Sequence, residues 1–162
     1  MGEGMVMKVR QATEDDGDML AELIIENQSL PTAYEGSPMT EEEISSKIVD
    51  VLWKRDSNLV HLFYEDGKFV AACFHEAQSK SVVNAHLHIH KDFRGKGYAS
   101  KILTIDAIAC SVFGLKILSL VPANNLALIK AMSKAGYKEC GIVPNCWNHD
   151  GKLIPRVILF KE

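Results

Sequence analysis

Between Val82 and Phe113 the apolar period changes from two residues to a helical spacing, and it does so across Arg94-Gly95-Lys96-Gly97. An alternating strand, Val82 to His90, therefore runs through a loop with two glycines into a helix, Gly97 to Phe113. Glycines let the backbone turn sharply and leave its N–H groups bare, and a helix N-terminus adds its positive dipole end. Several amides then converge on one anion, and Arg94 and Lys96 add charge. A pyrophosphate suits such a place. The plainer reading is a tight turn whose small residues permit close packing. Neither G-x-x-x-x-G-K-S/T nor G-x-G-x-x-G is present, so those two phosphate loops are excluded.

The other elements follow from the same reading of period and punctuation. Met5 to Gln11 alternates as a strand, and Thr13 with Asp16 resembles a capping box ahead of Met19, Leu20, Leu23 and Ile24. Pro31, Gly36 and Pro38 make Leu30 to Met39 a loop. Thr40 with Glu43 is a second capping box, opening a helix with Ile44, Ile48, Val51 and Leu52 along one stripe. Leu59 to Tyr64 and Lys68 to Glu76 flank Asp66-Gly67, a strong hairpin signal. Leu115 to Val121 is an apolar strand, Asn125 to Ala135 a short helix stopped by Gly136, and Tyr137 to Val143 and Ile154 to Phe160 the last strands, joined at His149-Asp150-Gly151. The order is β-α-α-β-β-β-α-β-α-β-β. It predicts an α/β (α+β) fold: one mixed, mostly antiparallel sheet with helices on both faces.

With 162 residues and no linker or repeat, the chain is expected to form a single domain over 1–162. A net charge of -3 supplies no basic field, so nucleic acid is not expected as a partner; Lys91, Arg94, Lys96 and Lys101 suit one compact anion. No apolar run approaches the ~20 residues that span a bilayer. No signal peptide is recognisable, so a cytoplasmic protein with no membrane partner is expected. Cys73, Cys110, Cys140 and Cys146 form no C-x-x-C pair and read as reduced thiols.

Arg94-Gly95-Lys96-Gly97-Tyr98-Ala99 resembles the R/Q-x-x-G-x-G/A motif of the GNAT (Gcn5-related) N-acetyltransferases, with Ile89 at the strand-end position of V-x-x-x-x-R/Q. Val121-Pro122-Ala123-Asn124-Asn125 followed by Gly136-Tyr137 is similar to the family's V-x-x-x-N…G-F segment, and the element order agrees along almost the whole chain. The resemblance implies acetyl-CoA as co-substrate. Leu87, His88 and Ile89 would lend backbone groups to the pantetheine arm. Arg94, Gly95, Lys96, Gly97, Tyr98, Ala99 and Ser100 would hold the pyrophosphate, and Asn125 would bond the cofactor's amide region. The thioester would sit where the fourth and fifth strands splay apart. Two departures stand out. Lys91 occupies a frequent proline, and Met132 occupies the position of the tyrosine that commonly protonates the leaving thiolate. Tyr98 and Tyr137 align with packing positions.

An amine of pKa ~10 must lose a proton before it attacks. His86, His88 and His90 alternate along the proposed strand and share a face, so His86 or His88 is the candidate base, with Glu65 and Glu76 weaker ones. Exposed or hydrogen-bonded histidines are the bland alternative. The same H-x-H-x-H run allows a zinc reading, but no third ligand is fixed by spacing, and no metal is expected. Trp53 reads as a core or lid residue, and Tyr34, Glu35, Trp147 and His149 as acceptor-wall candidates. The expected activity is acetyl transfer to a primary amine of a small molecule or protein. Competing readings are a catalytically idle acyl-CoA-binding sensor or regulatory module, and a protein using the fold alone. Homodimers are common in the family, and nothing in the sequence fixes one.

Overall fold

The computed structural model describes residues 6–27, 39–53, 58–149 and 151–162. The elements are β1 (Met7–Gln11), α1 (Gly17–Asn27), α2 (Glu41–Trp53), β2 (Asn58–Glu65), β3 (Lys68–Ala77), β4 (Val82–Ile89), α3 (Tyr98–Val112), β5 (Lys116–Pro122), α4 (Leu126–Lys134), β6 (Lys138–His149) and β7 (Lys152–Lys161). Their order is the one the periodicities predict. The strands form one seven-stranded sheet, β1-β2-β3-β4-β5-β7-β6, in which β4 and β5 are the parallel pair and the remaining neighbours are antiparallel.

Side-chain alternation assigns one core to each face of the sheet. Leu20 and Leu23 of α1 and Ile44 and Ile48 of α2 pack on Val60, Leu62, Ala72 and Phe74. Each of those four helical side chains is at most 2% exposed, so truncating one to alanine is expected to cost about 2–5 kcal/mol. On the other face Ile102, Leu103 and Cys110 of α3 and Met132 of α4 pack on Phe63, Cys73, Val83 and Leu159. The helices therefore cover both faces. Among the described residues no helix is long and apolar enough to cross a membrane.

Local chemistry explains the boundaries. At the β2–β3 turn Asp66 and Gly67 both take positive φ, 50° and 74°, the primed geometry that matches strand twist. The Thr40–Glu43 capping box is closed in both directions, at 3.1 and 3.2 Å. α1 begins later than its capping residues suggest: a 3-10 turn, Glu14–Asp16, comes first. There the Asp16 carboxylate accepts the Thr13 N–H at 2.8 Å and both guanidinium arms of Arg10, at 2.8 and 2.7 Å. β4 stops at Ile89, one residue short of expectation, because the His90 ring accepts the Asp92 N–H at 3.1 Å and caps a 3-10 turn, Lys91–Phe93.

β6 and β7 run longer than their apolar stretches indicate. The register shifts between Val143 and Trp147, and Asn145 takes φ 46°, so Pro144 passes through a bulge instead of interrupting a ladder.

Candidate active site

β4 and β5 stay paired only over Val82↔Lys116, Val83↔Ile117 and Asn84↔Leu118. Beyond Asn84 they part. Ser119 Oγ donates to the Ala85 carbonyl across the start of the gap at 3.0 Å. A cleft of about 170 Å³ opens past it, lined by His86, Leu87 and His88 of β4, by β5, by Asn125 and Met132, and by Trp147 and Arg156. The β5-facing backbone edge of Leu87 to Ile89 has no strand partner among the described residues, and an extended ligand could supply one.

At the end of β4 the chain enters the glycine loop. Gly95 and Gly97 adopt φ 70° and 80°, left-handed backbone that L side chains rarely take. An added Cβ at either would meet nothing within 4 Å, so the space over the loop is open. Gly97 is the N-cap residue of α3 and brings no side-chain cap. The first N–H groups of α3, from Tyr98 onward, are thus presented to whatever occupies that space, with the positive end of the dipole behind them. Arg94 to Ser100 follow β4 closely in the chain, and Leu87 and His88, near its end, line the cleft.

Two of those residues have structural duties. Arg94 donates through Nε to the Ile89 carbonyl at 3.1 Å and through its guanidinium to Asn27 Oδ1 of α1. Its charge is therefore turned toward α1. Asn125 caps α4, its Oδ1 accepting the Leu128 N–H at 3.3 Å, while it also lines the cleft.

The three histidines do not act alike. His86 and His88 lie on the α1–α2 face, opposite Phe74 and Ala72, whereas His90 has left the strand. The His86 side chain is 44% exposed and its Nε2 lies 3.9 Å from Glu76 Oε1. Desolvation lowers its pKa below the ordinary value, Glu76 opposes the shift, and Arg156 adds to it. His88 is half-buried, edge-on to Phe74 with ring centroids 5.6 Å apart. Desolvation, with His86 and Arg94 adding to it, holds its pKa at about 4. Both rings are neutral at pH 7. Because Asn27 Oδ1 accepts from Arg94, its Nδ2 donates to His88 Nδ1 at 3.2 Å, which puts the His88 proton on Nε2.

The tyrosines are engaged elsewhere. Tyr98 donates its hydroxyl to Glu65, and that bond raises its pKa. Glu65 also pairs with Lys101 at 3.8 Å and is not in the cleft lining, so it is unsuited as a base there. Tyr137 is 3% exposed within the α3–α4 core. Met132, 1% exposed, reaches the cleft wall at the position that the resemblance gives to a tyrosine. Trp147, expected in a loop, stands in β6 and lines the cleft, with Arg156 over its ring at 5.6 Å. Tyr34, Glu35 and Asp150, and the side chains of Trp53 and His149, lie outside the described residues.

Sequence reasoning missed Asn27, Ser119 and Arg156. Each acts through a partner that only the folded chain brings near, and none belongs to a local motif. Cys140 is exposed, Cys146 accepts the Arg156 Nε–H at 3.3 Å, and Cys73 and Cys110 are buried; all four are free thiols. Among the described residues the H-x-H-x-H run is not part of a group with metal-ligand geometry.

No family model matches the chain, and no curated protein matches it. Solved structures do. A spermidine N-acetyltransferase from Vibrio cholerae, in complex with CoA and spermine, superposes with a TM-score of 0.82 at 12% identity, covering 96% of this chain and 94% of that one. RimL, a ribosomal L7/L12 alpha-N-protein acetyltransferase in complex with coenzyme A, gives 0.80 at 12%, covering 96% and 93%. Mycobacterium smegmatis RimJ, in complex with CoA-disulfide, gives 0.78 at 15%, covering 96% and 81%. The chain has the GNAT fold.

Proposed function

We propose that this chain is an acyl-CoA-dependent N-acyltransferase that moves an acetyl group from acetyl-CoA to a primary amine. One observation carries the reading: the parted ends of β4 and β5 open directly beside a glycine loop whose bare amides start α3. That combination suits a long ligand with an anionic middle and an extended arm. The solved neighbours that hold CoA share the fold.

The residues present fit acetyl-CoA. Gly95 to Ser100 would hold the pyrophosphate through backbone amides, with Lys96 adding charge and Arg94 bracing the loop from behind. Leu87 to Ile89 would pair with the pantetheine amides, and Asn125 would meet the arm near the cleft. Bound there, the co-substrate supplies a thioester, an acyl group already activated for attack.

The protein's own groups do the rest. His86, neutral and partly open to water, takes the proton from the acceptor amine, and Glu76 steadies the imidazolium that results. His88, its proton on Nε2, is a hydrogen-bond donor in the cleft wall and not a base. Among the described residues no tyrosine lines the cleft where Met132 stands. A leaving thiol of pKa ~8.5 departs without one, and orientation of amine and thioester supplies a larger share of the rate.

Arg156 bears on the acceptor. A guanidinium fixed over Trp147 in the cleft disfavours a polycation and favours an amine that carries a carboxylate or a neutral polar group. The test is thiol release from acetyl-CoA across a panel of amino acids, amino sugars, polyamines and peptide N-termini. Turnover with any of them supports the reading. Acetyl-CoA binding with no turnover on the whole panel favours a non-catalytic module, and no binding at all overturns it.

A further inference from the structure

The tightest group of metal-ligating side chains among the described residues lies away from the cleft, in the core under α3. His61 of β2, His75 of β3, and Asp106 and Cys110 of α3 are 3%, 1%, 0% and 0% exposed. Their ligand atoms all lie within 4.8 Å of one another. Asp106 and Cys110 are one helical turn apart, so α3 offers both along the strip that faces the sheet. β2 and β3 deliver the histidines from neighbouring strands, with the ring centroids 5.0 Å apart.

The hydrogen bonds leave a charge to be supplied. His75 Nδ1 lies 2.9 Å from the Leu59 carbonyl, which can only accept, so that nitrogen carries a proton. The other nitrogen, Nε2, lies 2.8 Å from Asp106 Oδ2, and the other carboxylate oxygen lies 2.8 Å from His61 Nδ1. In a neutral ring the Nε2 lone pair would face a carboxylate, acceptor against acceptor. Either a proton shared between the nitrogen and the carboxylate or a metal ion must stand between them. An N–H held by a backbone carbonyl is the outer contact that a metal-bound histidine keeps. The Cys110 sulfur completes an N₂OS set, which suits a borderline ion of tetrahedral habit. The Tyr137 hydroxyl, buried in the same core cluster as Cys110, has no hydrogen-bond partner among the described residues.

We propose that His61, His75, Asp106 and Cys110 form a closed, four-coordinate structural site for zinc. Bonds of roughly 2.0–2.3 Å place tetrahedral ligands about 3.2–3.8 Å apart, so the two Asp106–histidine contacts open from 2.8 Å while the widest separations, within 4.8 Å, draw in. Zinc displaces the Cys110 proton and the proton between His75 and Asp106 to solvent, the proton between His61 Nδ1 and Asp106 moves to the other ring nitrogen of His61, and the ion enters as the chain folds, because the site is sealed. It ties the second half of α3 to β2 and β3.

The test does not depend on acyl transfer. Protein expressed with added zinc and purified without chelator is expected to hold about one zinc per chain by elemental mass spectrometry. The His75→Gln and Cys110→Ser variants are expected to lose it. Should those variants fail to fold, the full chain refolded with cobalt(II) decides. It is expected to show a thiolate-to-cobalt charge-transfer band with the intense visible bands of a four-coordinate ion. Those bands are expected to survive the Cys140→Ser/Cys146→Ser double variant, which removes the two thiols outside the site. Wild-type protein that holds neither zinc nor cobalt after refolding overturns the proposal and leaves a proton in the ion's place. Bands that vanish in the double variant overturn it as well.

Discussion

Asn27 and His88 meet where α1 crosses the end of β4, Nδ2 to Nδ1 at 3.2 Å, and the carboxamide oxygen of the same asparagine takes the Arg94 guanidinium. One buried amide thus sets the tautomer of a cleft histidine and the direction of the arginine that opens the glycine loop. Replacing Asn27 by aspartate keeps the shape and adds a carboxylate within reach of both. The His88 pKa is then expected to rise from about 4 toward or above its ordinary value, read directly from a histidine NMR titration. An unmoved titration would show that this contact does not govern the ring.

The depressed pKa of His88 also has a sign for stability. The folded protein resists its protonation while the unfolded chain accepts it near 6.5, so the unfolded state binds more protons between those values. The contribution is fully present above pH 6.5 and is lost as pH falls toward 4. His88→Gln is expected to flatten the fall in melting temperature across that window without steepening it at neutral pH.

Cofactor binding is checked by thermal shift. Acetyl-CoA at 100 times its dissociation constant stabilises the fold by about 2.7 kcal/mol. Gly97→Glu is expected to abolish the shift, because it adds a negative side chain in the open space over the loop and forces a non-glycine residue to φ 80°. An equal shift in the variant would move the anion site elsewhere.

For the chemical step, His86→Gln is expected to lower kcat by about 10²-fold or more while the acetyl-CoA thermal shift remains. Because burial lowers the His86 pKa, the rate at subsaturating acceptor is expected to rise with pH and level off below neutrality. His88→Gln keeps that limb and has the smaller effect. A limb that persists in His86→Gln and disappears in His88→Gln would reverse the two roles.

Arg156→Gln is expected to narrow the preference for carboxylate-bearing over polycationic amines by about tenfold or more in kcat/KM, as loss of one partly buried ionic contact would. Equal ratios before and after would remove Arg156 from acceptor choice.

The parts of the molecule legible in the sequence are those specified over a few residues. Asp66-Gly67 defines its hairpin, Thr40 and Glu43 cap their helix, and Gly95 and Gly97 announce a left-handed loop ahead of an apolar helix. The element order follows from such local signals, and the cleft from the resemblance they support. What escaped notice depends on register. Leu59 opposes His75 and His61 opposes Cys73 only because β2 and β3 pair as they do, and α3 then lays Asp106 between the rings. Asn27 reaches His88 across 61 positions of chain, and no spacing rule links them. By spacing His90 reads as a third member of the strand series, but its ring caps the turn that follows.

The seam between β4 and β5 has a mechanical meaning. Among the described residues, three parallel pairs and the Ser119 hydroxyl stitch the strands of residues 7–89 to those of residues 116–161. Under tension applied across the strands the load concentrates on those few bonds, with the helices above and below acting as splints. The sheet yields there first, as two contiguous halves of the chain, each leaving with its own strands still zipped.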